Sequence, residues 1–556
     1  LHAEIGFHEF KEEMREQLIK QSLPIRAEQA SDDFIRLDLE ETFHGPKILV
    51  FKTEGFDYFD GMEKFILALD QGTTGSRACI YNKSAQMVAS HSQEHPQIYP
   101  QPGWVEHDPE AIWKSIENCV SAALQKANIK GEQIAGIGIT NQRETIVAWD
   151  RASGKPLYNA IVWQCRRTTD FCNKLKKSAR AKMIKKKTGL IIDPYFSASK
   201  MRWLFENVKG LREKPKAGDL CLGTIDKFLL WRLTAGKSFK TDVSNASRTQ
   251  VMNIAKGQWD SELLKVFGIP AGCLPEICES NARFGETRGL SALPDGIPVT
   301  GIAGDQQAAL FGQTCFDVGS SKCTFGTGSF LLMNTGSKMV ASKAGLLTTI
   351  AWKLRGDKKM TYALEGGAFI CGAAVQWLRD QMQFFKSAPE IESLAKEVSS
   401  TDGVYLVPAF VGLGAPYWDP EARAAIVGMT RGTSRAHLAR ATLEAMALQN
   451  VDILLAMEKD LGKKMRAVRV DGGAVSDDLL MQMQADFLGV NVERPWQTES
   501  TVLGAAFLAG LGCGFWGGLA EIRSVWRQEK VFKPAIALKA RKKKLDEWHQ
   551  AVARVR

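Results

Sequence analysis

Leu67-Ala-Leu-Asp-Gln-Gly-Thr-Thr-Gly-Ser-Arg77 ends an apolar run on a carboxylate, turns through glycine and hydroxyl residues, and closes on a cation. Gly72 and Gly75 let the backbone turn with its N–H groups pointing inward, Thr73, Thr74 and Ser76 add hydroxyl donors, and Asp70 can hold a water-shelled Mg2+. The stretch predicts a strand, a phosphate-cradling hairpin and a second strand, and hence a chain that handles a nucleotide. A Gly/Thr-rich turn in an ordinary sheet has the same composition, so this stretch alone leaves both readings open.

Ser321-Lys-Cys-Thr-Phe-Gly-Thr-Gly-Ser-Phe-Leu331 repeats the style about 250 residues later. Two such hairpins suggest two related halves that grip a polyphosphate from both sides of a cleft. The lysine P-loop is not formed: Ala235-Gly-Lys-Ser238 supplies its last letters, but Trp231 stands where its first glycine belongs. A dinucleotide fingerprint fails likewise, because Gly136-Ile-Gly138 meets Asn141 at the third glycine position.

At 556 residues the chain is too long for one core and predicts two large domains. Its 45% hydrophobic and 24% charged content is that of a soluble globular protein. Eleven scattered cysteines without a Cys-x-x-Cys pair argue against a zinc site or a disulfide framework and fit a reduced, cytoplasmic compartment. The net charge of +10 is uneven: residues 1–61 carry fourteen acidic and seven basic side chains, which leaves the rest near +17. A basic body suits nucleotides and phosphate esters. Nucleic acid is disfavoured, since the lysines of Lys174–Lys187 and Lys542–Lys544 read as solvated helix faces without interleaved aromatics. Ser500 to Ala520 is uncharged, yet its six glycines make a poor membrane helix; a short buried helix over Leu503–Gly510 and a turn at Gly512–Gly518 explain the same letters. No membrane insertion is expected, and residues 1–20 lack the apolar core of a secretory signal.

Residues 1–61 read as a separate acidic extension, with an amphipathic helix marked by Phe10, Met14 and Leu18 followed by β-like runs such as Ile48-Leu-Val-Phe51. Met62 stands directly before the first strand of the body and is the expected functional start. From Lys64 the pattern is α/β. A hairpin joins Phe65–Leu69 to Arg77–Asn82, and helices fall at Pro109–Ala127, Gly372–Met382 and His437–Met457. Strands fall at Ile134–Thr140 and Ala467–Val470, and the halves divide between Gly312 and Ser321, giving domains 62–314 and 315–556.

Two long patterns make the reading specific: Tyr195-Phe-Ser-Ala-Ser-Lys-Met-Arg-Trp-Leu-Phe-Glu-Asn207, and Ala424-Ala-Ile-Val-Gly-Met429 continuing to His437-Leu-Ala-Arg-Ala-Thr-Leu-Glu444. From Met62 to Arg556 the chain resembles the FGGY carbohydrate kinases of the actin-like ATPase superfamily. Gln101-Pro-Gly-Trp-Val-Glu-His-Asp108, Gly138-Ile-Thr-Asn-Gln-Arg-Glu144, Trp163-Gln-Cys-Arg-Arg167 and Gly301-Ile-Ala-Gly-Asp-Gln-Gln307 resemble the branch of that family that acts on glycerol. The resemblance implies two actin-like (ribonuclease H-like) domains flanking a catalytic cleft, ATP-dependent phosphorylation of glycerol to sn-glycerol 3-phosphate, and a homo-oligomer, dimer or tetramer.

A primary alcohol is a poor nucleophile and needs a carboxylate to take its proton as the bond to the γ-phosphate forms. Asp305, at the end of an apolar strand and a glycine turn, is the candidate and matches the family's base; the lesser alternative on position alone is a cap for the helical segment Gln306–Phe311. The resemblance places Arg143, Glu144, Tyr195, Asp305 and Gln306 on the glycerol hydroxyls, with Trp163 and Phe330 as the apolar wall. Without it, Arg143–Glu144 reads as a surface charge pair and the two aromatics as core. For the nucleotide it implies phosphate contacts at Thr73, Thr74, Gly75 and Thr327, charge neutralisation by Arg77, Mg2+ oriented by Asp70, and an adenosine pocket at Gly372, Gln376 and Gly473.

Two positions depart from the pattern. Asp477 stands where relatives carry asparagine against the nucleotide, and Gly75 replaces a serine, which removes a hydroxyl but keeps a backbone donor. Thr287–Ile297 lacks the Gly/Lys-rich run at which some members bind an anionic regulator. Two rivals remain: a kinase of the same family acting on a ketose or another polyol, and an actin-like structural or chaperone ATPase, which shares the hairpins but needs no small-alcohol pocket.

Overall fold

The computed structural model describes three strands at 25–31, 34–39 and 47–52, and residues 62–214 and 218–556. The chain forms two compact units, Leu1–Glu63 and Lys64–Arg556. In the first, the strands Ile25–Ser31, Phe34–Leu39 and Lys47–Lys52 form an antiparallel meander, the last covering the β-like run at Ile48–Phe51. The expected helix at Phe10, Met14 and Leu18 lies outside the described residues.

The second unit is built on two sheets of the same design. The first runs in the order Gly285–Glu286, Pro298–Gly304, Ile134–Asn141, Phe65–Gln71, Gly75–Tyr81 and Met87–Glu94. Its three middle-to-edge strands from Phe65 form an antiparallel meander, while Ile134–Asn141 and Pro298–Gly304 extend it in parallel. The second sheet repeats this with one extra strand: Leu347–Trp352, Thr361–Ala368, Ser329–Gly336, Ser321–Phe325, Ala467–Asp471, Asn491–Pro495 and Gln528–Phe532. There too the hairpin strand Ser321–Phe325 is followed sideways by two parallel strands. The parallel strands are covered on both faces, which is why Phe65–Leu69 and Ile137–Thr140 are continuously buried rather than alternating.

Helix limits follow local capping chemistry. Pro109–Ala127 forms as expected: Asp108 accepts from the Glu110 N–H at 2.9 Å, and Asn128 ends it in the left-handed region at φ 54°. The helix expected at His437–Met457 runs from Arg435 to Leu461, because Ser434 donates its N–H to His437 Nδ1 at 3.1 Å and Gly462 provides the left-handed stop. The one expected at Gly372–Met382 ends at Asp380. Lys174, Lys176, Lys182, Lys185 and Lys186 are solvent-exposed on two short helices, and Lys177 is exposed just after the first. All eleven cysteines are free thiols.

The glycine-rich window forms the helix Ser500–Gly512, which packs not on the sheet of its own half but on Phe65–Gln71, Ile134–Asn141 and Pro298–Gly304 of the first sheet. Its closest neighbour is the helix Asp305–Gly312. The two backbones touch: a Cβ on Gly504 would lie 1.8 Å from the Ala308 carbonyl oxygen, and one on Gly312 would lie 2.0 Å from that of Ser500. Glycine is thus dictated by approach distance. Among the described residues no helix is long and apolar enough to cross a membrane.

Overpacking of this kind costs about 1–3 kcal/mol. Gly504→Ala is expected to lower the thermal midpoint by several degrees in calorimetry, whereas Gly432→Ala, at an exposed position whose nearest added contact is 3.8 Å away, leaves it unchanged.

Candidate active site

Candidate residues collect at the carboxyl ends of the parallel strands, where open α/β sheets bind ligands. Asp70 is the penultimate residue of Phe65–Gln71, Arg143 and Glu144 follow Ile134–Asn141, and Asp305 follows Pro298–Gly304. On the second sheet Thr327 follows Ser321–Phe325, and Gly473 follows Ala467–Asp471.

In the first hairpin the Gly72 N–H closes the turn on the Gly75 carbonyl at 2.9 Å, and Asp70 pairs across the strands with Arg77. Thr73 Oγ1 accepts the Trp163 indole N–H at 3.0 Å, tying the hairpin to the expected pocket wall, while Thr74 is exposed. Gly75 has a steric reason beyond a missing hydroxyl: a Cβ there would stand 2.7 Å from the Gln93 carbonyl oxygen, so a serine would require the neighbouring strand to move. Arg77 is already engaged, by Glu499 at 2.5 Å and Ser92 Oγ at 2.8 Å. Burial first, and then the charge of Asp305, push the Asp70 carboxyl up to about 7.

The second hairpin closes through Gly326 N–H on Gly328 O at 3.0 Å and seats the helix Gly372–Asp380. The N–H groups of Cys371 and Ala373 donate to Thr327 O at 2.8 and 3.1 Å, and that of Gly372 to Gly326 O at 2.9 Å. A Cβ on Gly372 would lie 2.7 Å from Gly326 O, so contact with the hairpin is itself enough to require glycine there. Gln376 is exposed one turn along this helix, and Gly473 faces open space. Asp477 caps the helix Asp478–Leu488, accepting the Leu480 N–H at 2.8 Å, while its second oxygen is buried without a partner. Burial raises its carboxyl to about 6. Its place in the structure is thus that of a helix cap.

The first sheet's site is built around a buried ionic cluster. Arg143, Glu144, Arg248 and Glu365 are 3, 1, 0 and 2% exposed, which excludes a surface charge pair for Arg143–Glu144. Arg143 donates through Nη1 and Nη2 to the two oxygens of Glu365, each at 2.8 Å, and its Nε lies 3.0 Å from Asp305 Oδ1. Arg248 donates to Glu144 Oε1 at 2.6 Å and lies 3.0 Å from Glu365 Oε2. Burial opposes ionisation of Glu365, but Arg143 and Arg248 outweigh it and hold the carboxyl at about 2. Glu144 adopts φ 63°, a left-handed conformation uncommon for a non-glycine residue, which turns its side chain back to Arg248.

Tyr195 joins this cluster, its hydroxyl 3.4 Å from Arg143 Nη2 and its ring edge-on to Trp163 at 5.4 Å between centroids. Asp305 is the first residue of its helix, and Gly304, not Asp305, is the cap. Its Oδ1 accepts the Gln306 N–H at 2.7 Å, and its Oδ2 accepts Gln306 Nε2 at 3.2 Å. Thr73, Trp163, Tyr195, Arg143, Glu144, Asp305 and Gln306 therefore form one chain of contacts. Phe330 belongs to the second sheet, where its ring packs over Gly367, which has room for it only without a Cβ.

Sequence reading missed Glu365, Arg248 and Lys322. For Glu365 and Lys322 the signal was a lone charge inside a short apolar strand, as in Tyr362-Ala-Leu-Glu-Gly-Gly367 and Ser321-Lys-Cys-Thr-Phe325, whereas Arg248 ends the short helix Val243–Ser247 and carries no such signal. Two of the diagnostic segments act beneath the site: Glu106 binds Arg167 at 2.6 Å, and that guanidinium lies 3.9 Å from the Trp104 ring centroid. His107, held neutral by burial with its pKa near 3, takes part in a buried amide network with Gln97 and Gln142 under the first hairpin. The arrangement offers an oriented carboxylate linked through Arg143 and Tyr195 to the Trp163 ring, and through that ring to Thr73 of the first hairpin.

Residues 65–312 match the N-terminal domain of the FGGY family of carbohydrate kinases, and residues 321–513 match its C-terminal domain. A glycerol kinase of Bdellovibrio bacteriovorus is 63% identical over 89% of this chain and all of its own length. One from Bacillus cereus is 53% identical over 88% of this chain and 99% of its own. Among solved structures, Plasmodium falciparum glycerol kinase with ADP aligns with a TM-score of 0.83 at 39% identity, covering 89% of this chain and 98% of that one. A Lactobacillus acidophilus xylulose kinase, at 23% identity and a TM-score of 0.76 over 88% of this chain and 97% of that one, shares the fold. The chain belongs to the FGGY family of carbohydrate kinases.

Proposed function

We propose that this protein transfers the γ-phosphoryl group of ATP to a terminal hydroxyl of glycerol, giving sn-glycerol 3-phosphate. The observation that carries the reading is Asp305, a carboxylate whose side chain is 31% exposed, with Oδ1 held by Arg143 Nε and the Gln306 N–H, and Oδ2 directed by the Gln306 amide. In this reading Asp305 accepts the alcohol proton as the oxygen attacks phosphorus. Arg143, Glu144, Tyr195 and Gln306 bind the hydroxyls, and Trp163 and Phe330 face the carbon backbone. A carboxylate and fixed donors buried around a small polyol leave unpaired groups when a hydroxyl is missing, which sets specificity.

Thr73, Thr74, Gly75 and Thr327 hold the polyphosphate between the hairpins, and Arg77 adds positive charge beside it. Gly372, Gln376 and Gly473 form the adenosine side, with Asp477 shaping it as a cap. Among the described residues no three His, Cys, Asp or Glu side chains converge to ligate an ion directly, so the fit for Mg2+ is a water-shelled one at Asp70, whose carboxyl is raised in part by Asp305. The ion supplies neutralisation of polyphosphate charge when bound. Free, mostly buried thiols support a cytoplasmic setting, and the family resemblance supports a homo-oligomer, dimer or tetramer, of chains that each divide into domains 62–314 and 315–556.

Steady-state ADP release tests the substrate assignment: turnover is expected with glycerol, with sn-glycerol 3-phosphate as product, and strongest turnover on D-xylulose overturns it. Asp305→Asn is expected to lower kcat by about 10²–10⁴-fold with the KM for ATP little changed, and near wild-type turnover would remove Asp305 from the mechanism.

A further inference from the structure

Lys322 is wholly buried, 0% exposed, on the strand Ser321–Phe325 of the second sheet. Its ammonium makes no ion pair among the described residues; it donates to Gln306 Oε1 and, at 2.7 Å, to Thr324 Oγ1. Its hydrogen-bond acceptors are neutral, and the carboxylates of Asp471 and Asp305 act on it only through space; burying a cation without a direct counter-ion is costly, so stability alone is a poor reason for a lysine here.

Its consequence lies in the chemistry of the amide. An ammonium has donors only, so the Gln306 atom facing it must be the oxygen. The amide nitrogen then faces the other way, where it donates to Asp305 Oδ2 at 3.2 Å. In the reversed amide, nitrogen would meet ammonium and oxygen would meet carboxylate, both repulsive. Asp305 Oδ1 is meanwhile occupied by the Gln306 N–H at 2.7 Å and Arg143 Nε at 3.0 Å.

We infer that Lys322 is a positioning residue for phosphoryl transfer: acting through Gln306, it fixes the orientation of the Asp305 carboxylate from the opposite sheet. This rests on the reading of Asp305 as the base. The charged groups around that carboxylate are Arg143, Lys322 and Asp70.

A double-mutant cycle tests it on the full chain at saturating ATP. Lys322→Met and Gln306→Met are each expected to lower kcat with glycerol by about 10–100-fold, with the KM for ATP within about twofold, and the double variant falls no further than the worse single. Independent, multiplying losses, or wild-type kcat in Lys322→Met, overturn the inference. Gln306→Glu keeps a partner for Lys322 should the methionine variants not fold. It sets an anion in place of a donor beside Asp305, so the acid limb of the kcat/KM profile for glycerol should move up by about one pH unit; an unmoved limb also overturns it. Asp305→Asn in the same series separates the two failures: activity there defeats the base assignment, whereas an inactive Asp305→Asn with a fully active Lys322→Met defeats only the role of Lys322.

Discussion

The carboxylate of Glu365 lies between two buried guanidinium groups, and the geometry of the site descends from that contact. Glu365 comes from the second sheet and Arg143 from the loop after a first-sheet strand, so their two 2.8 Å hydrogen bonds clamp the halves together at the site itself. A guanidinium is planar, and with both terminal nitrogens on Glu365 its Nε can point in only one direction. That direction is toward Asp305 Oδ1, 3.0 Å away. Asp305 is thus aimed by an ion pair whose other partner lies on the opposite sheet.

The same principle, groups of one half fixed by groups of the other, recurs around the site. Glu499 reaches Arg77 of the first hairpin, and the next residue, Ser500, donates to Asp471 at the end of a second-sheet strand. Ser500 begins the helix that lies against the Asp305 helix at backbone contact distance. Close packing is stiff, since neither helix can shift without a clash or a void. It holds Asp305 to a fixed position while Lys322 and Arg143 set its orientation.

Much of this was legible in the chain. The two hairpins, the strand ends and the Asp305 turn carry local signals: glycine, hydroxyl and carboxylate residues at the close of apolar runs. The cluster around them was not, because its pairing is between residues far apart; Arg143 and Glu365 are separated by 222 positions. A single charge in an apolar strand says that a partner exists but not which. Glycines were legible as glycines and less so in their reasons. Gly75 avoids a neighbouring strand, and Gly372 admits a hairpin carbonyl, both contacts that only the folded chain displays. Asp477, singled out as a departure from the pattern at the nucleotide, also caps a helix, a role its sequence neighbours did not display. The uncharged glycine-rich segment was rightly placed as a buried helix, but its sheet belongs to the other half of the chain.

The central claim is that the acceptor site is assembled across the two sheets by the buried charge of Glu365. The most direct measurement is kcat/KM for glycerol in Glu365→Gln, which keeps the shape and removes the charge. Removing one partner of a buried ion pair costs about 3–5 kcal/mol, so a loss of about 10²–10³-fold or more is expected in a protein that remains folded. A value within twofold of the unaltered protein would contradict the account.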